Sequence, residues 1–181
     1  AIQSLAQTPE NSTLRAGVVG NGNVLAREVR TLANSLQDLR LQTEGDITSA
    51  ISVINRNLRD IKALNDTISS DSLLGKSVGE LLDRRDLAVA ELAEYMDIGT
   101  YLKPNGAINI FTGGGLSLVD ESIYQLTYTP QSSTAPLINN GTLSPISIYR
   151  LDQNGQIVGN PAELVSGGPS PQVTTSLTAG K

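Results

Sequence analysis

The stretch ITSAISVINRNLRDIKALNDTIS, Ile47 to Ser69, decides the fold. Its large apolar residues are Ile47, Ile51, Ile54, Leu58, Ile61, Leu64 and Ile68, which step by 4, 3, 4, 3, 3 and 4. That spacing keeps one face of an α-helix apolar over about six turns, as in a heptad seam. Leu25, Val29, Leu32, Leu36 and Leu39 repeat the spacing upstream. The jump from Leu36 to Ile47 is 11 residues and contains Gly45. An 11-residue step realigns a stripe on a straight helix. A helical Gly costs up to about 1 kcal/mol against Ala, which a long seam can absorb. One helix is therefore expected over about 11–69, on the order of 90 Å at 1.5 Å per residue. Before it, TPENSTLR offers Thr8 or Asn11 as a cap, with Pro9 suited to a first helical turn.

A second helix is expected over about 77–96, after the loop SSDSLLGK, with Ser77 and Glu80 forming an S-x-x-E capping box. On a wheel at about 100° per residue, Val78, Leu81, Leu82, Val89, Leu92 and Met96 share one face. Arg85 falls in the middle of that face and Asp86 at its edge, while Asp83 and Arg84 point elsewhere and Leu87 lies nearly opposite. An inward Arg must be hydrogen-bonded or it is costly. The partners within reach are Asp86, carbonyls of the following segment, or Asn65 and Asp66 at the end of the first helix.

The composition changes near Asp97. Residues 1–97 carry 24 of the 31 charged side chains and one proline, whereas 98–181 carry seven charges, seven prolines and 11 of the 17 glycines. The first portion reads as helical and the second as strands and turns packed on the helices. IGTYL, AINIF, LSLV, IYQLTY, ISIYRL and QIV are strand-like. The turns fall at Lys103-Pro104-Asn105-Gly106, Gly113 to Gly115 and Asp152-Gln153-Asn154-Gly155. The expected class is α+β: a long helix, a shorter antiparallel helix in a coiled-coil-like bundle, and a hairpin-rich antiparallel β segment.

Composition narrows function. The chain has no cysteine and no histidine, which removes thiol nucleophiles, Cys-ligated zinc and the commonest general base. A net charge of -5 argues against nucleic acid. No run of about 18 apolar residues suggests a membrane span. Aromatics are 3%, so the core must be aliphatic. The sequence opens inside the helical pattern AIQSLAQ with no secretory-signal pattern, and a piece of a longer chain is expected.

The motifs that hint at ligands fail on spacing. Gly75-Lys76-Ser77 would end a phosphate loop, but the position of its first glycine is Ser70 and a helix precedes it. Asp152, Asn154 and Gly155 resemble a calcium loop, but Arg150 and Pro161 stand where acidic ligands belong. Gly113 to Gly115 could cradle an anion, yet no basic residue is near in sequence. A paired-carboxylate hydrolase is compatible with the inventory, but the acids sit mostly on helices beside cations. No catalytic, cofactor or metal residue is expected.

IKALNDTIS, then ELLDRRDLAVAELAEYMDI, then NGAINIFTGGGLSLV resembles the bacterial flagellar hook-associated protein 1 family. Leu64, Asn65, Ile68, Leu81, Leu82, Asp83, Arg85 and Asp86 match its pattern residue by residue, and LAQTPENSTLR and TSLTAGK resemble its flanking segments. The resemblance implies a structural junction between hook and filament, not an enzyme. It implies export to the extracellular flagellum without a cleaved signal and a ring-like self-association. Its implied partners are the hook protein, the second junction protein and an export chaperone. It also implies that a C-terminal helix covers the seam from Leu25 to Leu39. Another axial flagellar protein, flagellin-like or hook-associated protein 3, fits the long-helix plan less well. An unrelated coiled-coil adhesin fragment and a carboxylate hydrolase are the remaining alternatives. The candidate packing residues are Asp83, Arg85, Asp86 and Asn65, and the candidate interface residues are Leu25, Val29, Leu32, Leu36 and Leu87.

Overall fold

The computed structural model describes residues 2–130, 144–152 and 154–165. Most of the loop expected between Pro130 and Pro145, and the SGGPSPQ and TSLTAGK segments, lie outside the described residues. The chain divides into two compact units, Ala1–Thr43 and Glu44–Lys181.

The first unit holds α1 (Ile2–Gln7) and the start of α2 (Ser12–Leu73). Asn11, not Thr8, is the cap: its Oδ1 accepts a hydrogen bond from Leu14 N at 3.0 Å. Pro9 lies in the turn before the helix rather than in its first turn. α2 passes through Gly45 as one helix. Its short polar side chains return their hydroxyls to carbonyls four residues back, Thr43 to Leu39, Thr48 to Glu44 and Ser49 to Gly45, each at 2.9 Å. That local bonding lets polar residues sit in a helix without an external partner.

In the second unit, α2 packs with α3 (Gly79–Tyr95) against a sheet. Arg56 Nη2 donates to Glu91 Oε1 at 3.0 Å, and the short link between Leu73 and Gly79 folds α3 back along α2, so the two helices run antiparallel. Val78, not Ser77, is the α3 cap, and no side chain bonds there. The expected capping box fails because the helix starts one residue later than the S-x-x-E spacing requires.

The sheet is an antiparallel meander in chain order: β1 (Ile98–Leu102), β2 (Ile108–Thr112), β3 (Ser117–Val119), β4 (Ile123–Thr127), β5 (Ile146–Leu151) and β6 (Ile157–Val165). Gly106, Gly115 and Gly155 have positive φ in three of its turns, a conformation L side chains resist. Register places Gly99 opposite Phe111, and a Cβ at Gly99 would lie 2.2 Å from the Phe111 ring. The core joins Ile51, Ile54, Leu58 and Ile61 of α2 and Leu92 of α3 to Ile110, Leu118, Val119, Leu126 and Ile148 of the sheet. It is aliphatic, as the near absence of aromatics requires.

One detail of the seam differs from the expected spacing. Leu64 is half-buried, whereas Asn65 is only 3% exposed. Ile51, Leu58 and Asn65 recur every seventh residue, so the buried line passes through Asn65 and leaves Leu64 on the flank.

Candidate functional site: the polar clamps between helix and sheet

β3 is three residues long, and its neighbours outrun it. It pairs with β2 only at Ile110↔Val119 and Phe111↔Ser117, and with β4 only at Val119↔Ile123. Ile108 on β2 and Leu126 on β4 lie beyond those pairs. In an antiparallel strand the N–H and C=O of one residue point to the same side. Both groups of Ile108 and of Leu126 thus face a place with no strand.

α2 fills both places with asparagine. Asn65 Nδ2 donates to Ile108 O at 2.7 Å, and Ile108 N donates to Asn65 Oδ1 at 3.0 Å. Asn55 Nδ2 donates to Leu126 O, and Leu126 N donates to Asn55 Oδ1, both at 2.8 Å. A carboxamide presents an N–H and a C=O at peptide spacing, so each side chain replaces one residue of a missing strand. An unmade bond to a buried polar group costs about 1–3 kcal/mol, so the two clamps fix how the sheet sits on α2. Further along the same helix, Tyr128 donates its hydroxyl to Glu44, another buried polar residue.

Arg85 is the third clamp. It is 5% exposed on α3, and its Nη1 donates to Gly106 O at 2.6 Å. Of the partners considered from sequence, the carbonyl of the β segment is the one within hydrogen-bond distance. Arg85 Nε is buried without a hydrogen-bond partner, 3.8 Å from Asp86 Oδ1. Gly106 has φ +84, and a Cβ there would lie 3.2 Å from Ile68 Cγ2. The β1–β2 turn is thus held from α3 by Arg85 and seated against α2 at Ile68, one helical turn beyond Asn65.

Asp86, expected at the packing edge, has a side chain 74% exposed. The long Arg85 side chain reaches the hairpin, whereas the short Asp86 carboxylate stays at the rim, where water solvates it. Asp83 is also exposed. Leu87 is 72% exposed. In the first unit Leu25, Val29, Leu32, Leu36 and Leu39 are 49–65% exposed. Asn55, Glu44 and Tyr128 were not anticipated from sequence. The available signal was the strict seventh-residue line, which marks Asn65 as buried; Asn55 is one of six asparagines on α2, and nothing local singles it out.

The ligand-like motifs are turns and pairs. Gly113 N and Gly115 N are spent on Asp97 O and Thr112 O. Asp152 Oδ1 accepts from Asn154 N and Gln156 N within its own turn. Lys76 Nζ is 2.7 Å from Asp71 Oδ1. Among the described residues, no group of three or more acidic side chains could hold a metal ion. No described helix is long and apolar enough to cross a membrane.

Two antiparallel helices carrying a meander that Asn55, Asn65 and Arg85 clamp through its backbone define a packing module. The helical-domain profile of the flagellar hook-associated protein FlgK matches residues 1–168, and the chain belongs to that family. Flagellar hook-associated protein 1 of Escherichia coli (strain K12) is 27% identical over 88% of this chain and 34% of its own length. The Salmonella typhimurium protein of the same name is 26% identical over 88% of this chain and 33% of its own length. This chain therefore spans about a third of those relatives. The flagellar hook junction protein FlgK from Burkholderia pseudomallei has a similar fold, with TM-score 0.70, 24% identity and coverage of 90% of this chain and 28% of that one.

Proposed function

We infer that this chain is the helical-domain portion of a hook–filament junction subunit, acting by subunit packing rather than by chemistry. The observation that carries this is the family match over residues 1–168. The exposed seam from Leu25 to Leu39 supports it, since an apolar stripe of that length on one helix face marks a surface that protein covers. A further helix of the longer protein fits as its cover. The subunit self-associates in a ring-like zone and meets the hook protein on one side and the second junction protein on the other. A chaperone escorts it to export without signal cleavage, and it works outside the cell.

The acids argue against hydrolysis. Asp66 is held by Lys62 at 2.6 Å. A hydrogen bond from Lys103, aided by a backbone bond and the lysine's charge, keeps the Glu121 carboxyl below its ordinary value. A general acid needs the opposite shift. Deleting the gene in a flagellated host should leave hooks without filaments and flagellin shed to the medium. Normal attached filaments in the deletion strain would sink this reading.

A further inference from the structure

We propose that α2 carries a built-in hinge over residues 44–52, which lets its seam-bearing half bend while the half clamped to the sheet stays fixed.

The first observation is a soft face. Gly45 is a poor helix former, and nothing around it demands a glycine. A Cβ there would meet no atom within 4 Å, and its φ lies outside the left-handed region. On a wheel at about 100° per residue, Ser49 and Ser52 share the face of Gly45, with Thr48 at its edge. All four residues are exposed. Ile47, Ile51 and Ile54 lie on the opposite face, which packs on the core.

The hydroxyls on that face make bending cheap. Thr48 donates to Glu44 O and Ser49 to Gly45 O at 2.9 Å, and Ser52 donates to Thr48 O at 3.0 Å. Bending a helix lengthens the N–H···O bonds on its convex side. Each hydroxyl keeps its carbonyl bonded while that happens, so the bend strands no acceptor. Ser and Thr bonded back in this way are often found where helices bend. Residues 53–66, by contrast, contain no Gly, Ser or Thr and hold both asparagine clamps.

The soft stretch lies where the helix changes its support. Heptad spacing from Leu36 and Leu39 would continue at Thr43 and Asp46, which are polar, and the apolar stripe resumes at Ile47. Glu44 is the first buried residue of α2, and it accepts the Tyr128 hydroxyl. The two compact units also divide between Thr43 and Glu44. Residue chemistry, the phase of the stripe and burial thus change together. In an assembly the hinge lets the seam follow its cover while the sheet keeps its own neighbours. That use rests on the junction role, but the hinge itself does not.

Paired spin labels test it in the purified full-length protein, with cysteines only at Asp38→Cys and Arg59→Cys; the present chain contributes none of its own. The labelled positions are 59 − 38 = 21 residues apart, about 32 Å on a straight helix. We expect the parent's distance distribution to be broad and to extend below that value. Gly45→Ala, Ser49→Ala and Ser52→Ala together should narrow it at least twofold. Gly20→Ala with Gly22→Ala, at two helical glycines that also meet nothing within 4 Å, should leave the width unchanged, because both lie outside the labelled span. A parent distribution already as narrow as the triple variant's would overturn the hinge. Equal narrowing by the Gly20 and Gly22 changes would overturn it too, by showing a general tightening of the helix. Filament attachment is scored separately in the deletion strain, so failure of the junction role is read independently of the label distances.

Discussion

Arg85, Asn65 and Asn55 share one chemical task, which is to satisfy backbone that the sheet leaves open. Arg85 acts on a turn carbonyl at 2.6 Å, so Arg85→Ala strands Gly106 O and opens a gap beside it. A bond from a charged donor is worth about 1.5–3 kcal/mol. The variant should lose about 2 kcal/mol in urea or thermal unfolding, and a change within about ±0.5 kcal/mol, the range of ordinary surface substitutions, would mean the residue is not a clamp. Asn65→Ala strands both polar groups of Ile108. Its expected cost is about 2–5 kcal/mol, measured in the same way. Tyr124 gives a pH signature. Burial first, and the Asp120 carboxylate second, hold its phenol above its ordinary value. The unfolded chain loses that proton near about pH 10, while the folded chain keeps it. The stability from this group is therefore intact below that pH and is lost as pH rises from there toward the folded-state value. Melts compared between about pH 9 and 11 should show a smaller alkaline loss for Tyr124→Phe than for the parent.

At the scale of elements, the β1–β2 hairpin is pinned from both helices. Gly106→Ala forces an L residue to φ +84 against Ile68. A left-handed non-glycine costs about 1–2 kcal/mol, and the crowded contact adds to it, so a melt should show a loss of at least that size. Most elements could be read from the sequence. The seam fixed α2 because apolar spacing over many turns admits no other period, and Pro, Gly and Asn marked the sheet's turns. The clamps could not be read in the same way. A polar residue in a seam looks like a break in the pattern, and counting only apolar residues moved the line to Leu64 instead of Asn65. Asn55 was invisible because its role depends on β3 being too short for its neighbours, which is a matter of pairing and not of local sequence. Asp86 was misplaced because a wheel gives direction but not reach: Arg85 is long enough to leave the rim and Asp86 is not.

At the scale of the whole molecule, the two units differ in what covers their apolar residues. Ile54, Leu58 and Ile61 are at most 2% exposed in the second unit, while Leu25 to Leu39 stand in water in the first. Helical stability comes mainly from packing of the apolar face. Amide exchange of this chain alone should therefore be fast across 25–39 and slow across 54–68. Equal protection in both stretches would mean that the first unit needs no partner. The central claim is that the chain works by burying this surface against other protein. Its most direct test is complementation of the deletion strain with the full-length gene. The parent gene and Glu121→Gln should both restore attached filaments, since no acid chemistry is required. The double variant Leu32→Asp, Leu36→Asp should leave bare hooks although the protein is made. Filaments restored by that double variant, or lost with Glu121→Gln, would contradict the account.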